Sequence, residues 1–92
     1  MLTVTEDARR ALKTILENAE TQPGQTLRLV EDQGNYGLTL DTKQEGDQVV
    51  EHEGVIVLLI GPELKAQLES VILDLQSTPQ GPRLAFIPKQ GA

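Results

Sequence analysis

No cysteine occurs among the 92 residues, and that absence removes disulfides, thiolate metal sites, redox pairs and thiol nucleophiles together. Aromatic residues are almost as scarce. Tyr36 and Phe86 are the whole complement, so there is no interleaving of rings with basic residues on which nucleic-acid bases could stack. Positive charge is in deficit: eight basic residues stand against fourteen acidic ones, for a formal charge of −6. Such a surface repels phosphate polyanions and anionic headgroups, and nucleic acid is not expected as a partner. Long apolar runs are missing too. The longest, Val55 to Ile60, is far below the roughly 20 residues that span a bilayer. The opening Met1-Leu2-Thr3-Val4-Thr5-Glu6-Asp7 has neither the basic nor the apolar region of a signal peptide. A cytoplasmic protein with no membrane partner is the expectation.

Catalytic signatures are also wanting. The single histidine, His52, lies among acids with no nominated nucleophile, so no serine-histidine-acid set can be assembled. Gly34 and Gly37 do not make a phosphate loop, because the Lys and Ser/Thr that would follow are absent and no helix opens there. The expectation is a protein that is not an enzyme.

What is present fits one small domain over residues 1–92, with one core and no linker, repeat or low-complexity tract. Ala8, Ala11, Leu12, Ile15, Leu16 and Ala19 recur at the spacing that lines one stripe of a helix, with Arg9, Arg10, Lys13 and Glu17 turned away. Two N-caps compete. Thr3 has Glu6 three residues on, as in a capping box, whereas Leu2-Thr3-Val4 alternates like a short strand and leaves Thr5 as cap. Thr5 is favoured, since it puts Glu6 and Asp7 in the first turn and allows the pairs Glu6–Arg10 and Lys13–Glu17. Pro23-Gly24 ends the helix.

From Thr26 the period changes to two, with Leu27 and Leu29 on one face of a strand and Leu38 and Leu40 on one face of the next. Between them, residues 31–37 read as a loop in which Gly34, Asn35 and Gly37 tolerate positive φ. Glu45-Gly46 centres another turn, Val49-Val50 opens a third strand, and Gly54 marks a reversal. Val55 to Ile60 is apolar at every position and β-branched, a strand covered on both faces and the expected centre of the core. Pro62 suits the first position of a short helix. Beyond it Leu64, Leu68, Val71, Ile72 and Leu75 keep a helical spacing, so periodicity alone favours one helix to Leu75, although residues 70–76 also contain a β-branched run. Pro79 and Gly81-Pro82 force a loop, and Leu84 to Ile87 forms a last strand halted by Pro88.

The order of these elements resembles the HesB-like, A-type iron-sulfur carrier family over nearly the whole chain. Leu2-Thr3-Val4-Thr5-Glu6-Asp7-Ala8 is similar to the family's start, and Leu27-Arg28-Leu29 to a later strand. Gly34-Asn35-Tyr36-Gly37 stands where such proteins carry Gly-Cys-Ser-Gly. Glu53-Gly54-Val55-Ile56-Val57 resembles a glycine-led central strand, Leu73-Asp74 a Leu-Asp pair after the short helix, and Leu84-Ala85-Phe86-Ile87-Pro88 the closing Phe-x-Phe-x-Asn-Pro. The resemblance implies a mainly β (α+β) fold, a mixed-sheet pseudo-barrel or sandwich with an N-terminal amphipathic helix and a short second helix. It divides the ambiguous segment into a helix near Pro62 to Leu68 and a strand near Val71 to Gln76.

The departures concern the ligands. Asn35 replaces the family's first cysteine, and Lys89-Gln90-Gly91-Ala92 stands in place of the Cys-Gly-Cys-Gly tail. A neutral, hard amide is a poor substitute for the thiolates that hold a cluster. The expected function is therefore a non-enzymatic protein related to iron-sulfur cluster biogenesis, without a cofactor of its own. It would act through protein contacts made by the loop Gly34, Asn35, Tyr36 and Gly37, either with itself or with a cysteine-bearing carrier. The alternative is a module for a small ligand or hard cation using Glu31, Asp32, Glu51, His52 or Glu53. In an extended strand Glu51 and Glu53 share one face and His52 the other, so these three meet only if the backbone bends.

Overall fold

A computed structural model describes residues 2–89. Its elements run β1 (Thr3–Val4), α1 (Glu6–Asn18), β2 (Gln25–Asp32), β3 (Asn35–Thr42), β4 (Gln48–His52), β5 (Val55–Ile60), α2 (Pro62–Gln67), β6 (Val71–Thr78) and β7 (Gly81–Pro88). The strands form two sheets, a three-stranded one in the order β1-β6-β7 and a four-stranded one in the order β3-β2-β5-β4. The pairs β2–β3, β4–β5 and β6–β7 are antiparallel, while β1–β6 and β2–β5 are parallel. This is the mainly β, mixed-sheet arrangement with two helices that the resemblance implies.

Val57, Leu58, Leu59 and Ile60 of β5 are wholly buried, as an unbroken apolar strand requires, but Val55 at its start is exposed. Leu27 and Leu29 from one sheet, Leu73 from the other, and Ala8 and Leu12 from α1 join Val57, Leu58 and Ile60 in one core. The helix is rolled relative to the stripe read from sequence. Ile15 is 41% exposed, whereas Arg9 is half-buried. The stripe is centred on Ala8 and Leu12, which leaves Ile15 at its rim beside a groove of about 450 Å³ shared with Leu75 and Leu84. Lys13 does not pair with Glu17 but crosses to Glu53 of the β4–β5 turn at 3.1 Å. Arg10 reaches Glu6 at 3.8 Å, as expected for exposed side chains four residues apart.

Residues 62–75 divide as the resemblance implies, and the single longer helix favoured by periodicity is not formed. The Leu68 N–H closes the last helical turn on Leu64, and Val71 then enters a ladder with β7 that runs from Pro88 to Gly81. The pairing with β1 and β7 decides between the two conformations, a tertiary effect that periodicity does not see. The last two strands are longer than expected, because Pro79 and Gln80 suffice for the turn and Pro82 and Pro88 lie within the edge strand β7.

Thr5 is the N-cap. Its hydroxyl oxygen accepts from the Ala8 N–H at 3.2 Å while donating to Asp74 Oδ1 at 2.6 Å, and its own N–H donates to the Leu73 carbonyl at 3.0 Å. The Thr5 hydroxyl, with help from the Leu75 N–H, holds the Asp74 carboxyl below its ordinary range. Thr5→Ala is expected to cost about 1.5 kcal/mol of stability in urea unfolding, towards the upper end of cap losses, and Thr5→Ser to restore most of it. An unchanged urea midpoint for Thr5→Ala would contradict this role.

Candidate functional site

Gln33 and Gly34 take φ values of 51° and 83°, the left-handed pair of a two-residue hairpin turn whose twist matches that of its strands. The turn is therefore tighter than the loop expected over residues 31–37. Glu31 is paired with Tyr36, Asp32 with Asn35 and Val30 with Gly37 along the β2–β3 ladder. Neither Asn35 nor Gly37 uses the positive φ its residue type permits, and Gln33 does so instead. A glycine in second place was enough of a signal for the turn, but it did not reveal which neighbour would share it.

Residues 31–39 are all exposed, so the tip of this hairpin projects from the body of the molecule. Asn35 opens β3. Tyr36, 39% exposed, lays its ring 4.6 Å from that of Phe86 at an angle of 43°, a tilted contact between the only two aromatic rings of the sequence. Beside this pair is an apolar cleft of about 310 Å³ lined by Leu29, Leu38, Leu73 and Leu84. Adjoining it is a wider cleft of about 600 Å³, where Asn35, Gln76, Thr78 and Arg83 supply polar groups. These are two amides, a hydroxyl and a guanidinium. The formal charge of the cleft is positive, so it disfavours a metal cation and suits carboxylates or peptide carbonyls.

The acids singled out from the sequence do not gather here. Glu31 and Asp32 project from the hairpin, on alternate faces of β2. Glu51, His52 and Glu53 lie on the other hairpin, where a register shift between Val50 and Glu51 and a φ of 53° at Glu53 supply a bend. That bend brings His52 Nε2 within 3.4 Å of Glu53 Oε1, so these two side chains meet, as strict alternation would not allow. Glu53 is also bonded to Lys13, which keeps its carboxyl below the ordinary range. Glu51 instead lies at a small cleft with Leu2, Val4 and Arg9. Among the described residues no three His, Cys, Asp or Glu side chains converge to hold a metal ion.

Sequence reasoning did not single out Gln76, Arg83, Leu84 or Phe86 as site residues. The scarcity of aromatics was the one available signal, because two lone rings in an otherwise aliphatic chain are good candidates to meet.

No protein-family model matches the sequence, and no curated protein matches it either. Among solved structures, the Escherichia coli protein SufA, involved in biosynthesis of iron-sulfur clusters, superposes with a TM-score of 0.67 at 23% identity, covering 95% of this chain and 84% of SufA. IscA with its [2Fe-2S] cluster gives 0.58 at 17% identity, over 96% of this chain and 85% of IscA. A protein from Aquifex aeolicus gives 0.58 at 26% identity, over 92% and 88%. The chain has the A-type iron-sulfur carrier, or HesB-like, fold. The cluster which that fold implies does not fit the residues present. Asn35 and its cleft neighbours offer no anionic sulfur, and the one charged group lining the cleft is the Arg83 guanidinium, which repels a positive ion. Residues 90–92, in place of the family's cysteine-bearing tail, lie outside the described residues.

Proposed function

From the A-type carrier fold we propose that this chain is a non-enzymatic protein of iron-sulfur cluster biogenesis that does not hold a cluster through thiolates and acts through protein contacts at the β2–β3 hairpin. Fold alone does not fix activity, so the reading rests on the site. The observation that carries it is the cleft beside Tyr36, in which Asn35, Gln76, Thr78 and Arg83 present amides, a hydroxyl and a guanidinium in place of soft anions. The Asn35 and Gln76 amides and the Arg83 guanidinium recognise polypeptide, whose carbonyls and carboxylates need donors, better than they recognise iron, while the Thr78 hydroxyl already donates to the Gly81 carbonyl. The half-exposed Tyr36, seated on Phe86, supplies the rigid aromatic anchor that interfaces favour. The contacted protein is a cysteine-bearing carrier of the same fold, or another copy of this chain.

Anaerobic reconstitution with iron and sulfide, followed by gel filtration, is expected to leave the protein colourless with iron far below one equivalent. A brown, stoichiometrically loaded protein with no added thiol would overturn the reading of the site. In a second measurement the chain is expected to co-elute with a cysteine-bearing A-type carrier, and Tyr36→Ala to weaken that binding about tenfold or more, as removal of an aromatic anchor does. Binding that is absent, or indifferent to Tyr36, would remove the carrier as the contacted protein, and a chain that also fails to self-associate would remove the protein-contact reading.

A further inference from the structure

We infer that two copies of this chain pair antiparallel along the free edge of β3, in the single register that places Leu38 opposite Leu38 of the second copy. The inference deepens the protein-contact reading above by naming one occupant of that hairpin.

Edge strands are normally guarded against such pairing. Here β7 carries Pro82 and Pro88, β4 is interrupted by a register shift beside Glu51, and β1 has only two residues. In contrast, β3 runs Asn-Tyr-Gly-Leu-Thr-Leu-Asp-Thr without a proline, a lysine or a register shift. Its lone acid, Asp41, is bonded to Arg28 at 2.7 Å.

Which backbone groups are free follows from the turn. A two-residue hairpin makes Asp32 and Asn35 a hydrogen-bonded pair, so alternate residues Asn35, Gly37, Thr39 and Asp41 point their N–H and C=O at β2. Tyr36, Leu38, Leu40 and Thr42 point theirs away. Thr42 is already satisfied: its N–H donates to Asp41 Oδ1 at 2.8 Å, and its carbonyl accepts from Arg28 and Gln44 at 3.2 Å each. The open edge is therefore confined to Tyr36, Leu38 and Leu40, with Leu38 at its centre.

A two-fold axis through Leu38 completes every one of these groups. Leu38 meets Leu38, and Tyr36 meets Leu40 at each side, each pair exchanging two backbone bonds. Tyr36, Leu38 and Leu40 share the face that Leu27 and Leu29 turn to the core, so the pairing also aligns apolar side chains, two of which are 39% and 37% exposed in the single chain. On the opposite face Gly37 meets Thr39 and Asn35 meets Asp41, which opposes no like charges. The same register sets Gln33 against Lys43, bringing the exposed lysine of each copy to the acidic tip, Glu31 and Asp32, of the other. The two four-stranded sheets become one, β4-β5-β2-β3-β3-β2-β5-β4.

The sequence has no cysteine, so single-cysteine variants read the register cleanly. Across the axis the two Leu38 Cα atoms lie about 5.5 Å apart, inside the range a disulfide bridges, and the two Thr39 Cα atoms lie about 8 Å apart, outside it. Under mild oxidation of the chain alone, Leu38→Cys is expected to become a covalent dimer, with Thr39→Cys slower by roughly tenfold or more. The native chain is expected to sediment at twice its 10.0 kDa mass, and Leu38→Lys, folded by circular dichroism, at that mass itself. A native chain that stays monomeric over a dilution series overturns the inference, as do cross-linking at Thr39 in preference to Leu38 and a Leu38→Lys variant that remains dimeric. A monomer that still co-elutes with a cysteine-bearing carrier would sink the self-pairing and leave the protein-contact reading standing, whereas a dimer that binds no carrier would uphold the self-pairing and remove the carrier from that reading.

Discussion

Asp47→Asn is expected to destabilise the fold by about 3 kcal/mol in urea unfolding at neutral pH, a large share of the roughly 5–15 kcal/mol that holds a small domain together. The Asp47 side chain is 1% exposed and faces that of Arg28, 14% exposed, through two bonds of 3.0 and 2.6 Å. Such bidentate pairs are among the stronger ion pairs, and removing one partner strands the other charge away from water. The low end of the usual cost applies because Arg28 keeps its bond to Asp41. Acid offers a second reading of the same pair. The Arg28 bond, outweighing burial, holds the Asp47 carboxyl below its ordinary range. A carboxyl depressed in the folded state contributes stability that is fully present above its unfolded pKa and is lost as the pH falls through the folded value. The native chain should therefore lose stability steeply below the pH at which free aspartate titrates, and Asp47→Asn should flatten that part of the profile. An acid profile unchanged by the substitution would contradict the assignment. Arg28→Lys is not expected to substitute, since an ammonium cannot address both oxygens of Asp47 and also Asp41.

The same arginine ties the stability of the fold to its surface. By holding Asp41 and the Thr42 carbonyl, Arg28 fixes the end of β3 and limits the open edge to the three residues before it. Behind that end the chain is anchored by a buried charge pair, and ahead of it the hairpin projects with Tyr36 and Leu38 exposed. A hairpin tip with little cover is marginal on its own in water, and its apolar side chains are most stable when another surface lies against them.

Much of this was legible in the sequence. The stripe around Leu12, the unbroken run to Ile60 and the alternation about Leu27 and Leu29 are direct imprints of helical and strand periods, and the elements formed where those periods placed them. The division of residues 62–75 was not fixed by the period, because Leu64, Leu68, Val71 and Leu75 suit a helix as well as they suit a helix followed by a strand. Strand pairing decides it, and pairing partners lie far off in sequence. The hairpin at Gly34 shows a different limit. Composition announced a reversal but not its length, and only the ladder reveals that Asn35 and Gly37 belong to the strand. The absence of thiolates could be read at once, since it needs no geometry. The polar lining of the cleft could not, because Gln76 and Arg83 meet Asn35 only through the packing of one hairpin against the other.

Gln48 was equally invisible, and its loss is expected to match that of Asp47 in size. It is 7% exposed and bonds both backbone groups of Leu2: the Leu2 N–H donates to Oε1 at 2.9 Å, and Nε2 donates to the Leu2 carbonyl at 2.8 Å. The amide thus acts as a strand partner for the residue before β1, from β4 in the four-stranded sheet, while β1 itself pairs with β6 in the other. With Thr5 bonded to Leu73 and Asp74, the start of the chain fastens the two sheets to each other. Gln48→Ala leaves a buried donor and a buried acceptor without partners and is expected to cost about 3 kcal/mol, lowering the melting temperature by at least about 12 °C. Gln48→Leu restores volume but no hydrogen bond and should recover only the packing share. Gln48→Glu accepts from Leu2 when ionised yet can donate to its carbonyl only when protonated. Burial and that bond both favour the neutral acid, so its folded pKa is raised and its defect should ease as the pH falls. A Gln48→Leu variant as stable as the native chain would show that the hydrogen bonds to Leu2 contribute nothing and that the sheets are held together by apolar packing alone.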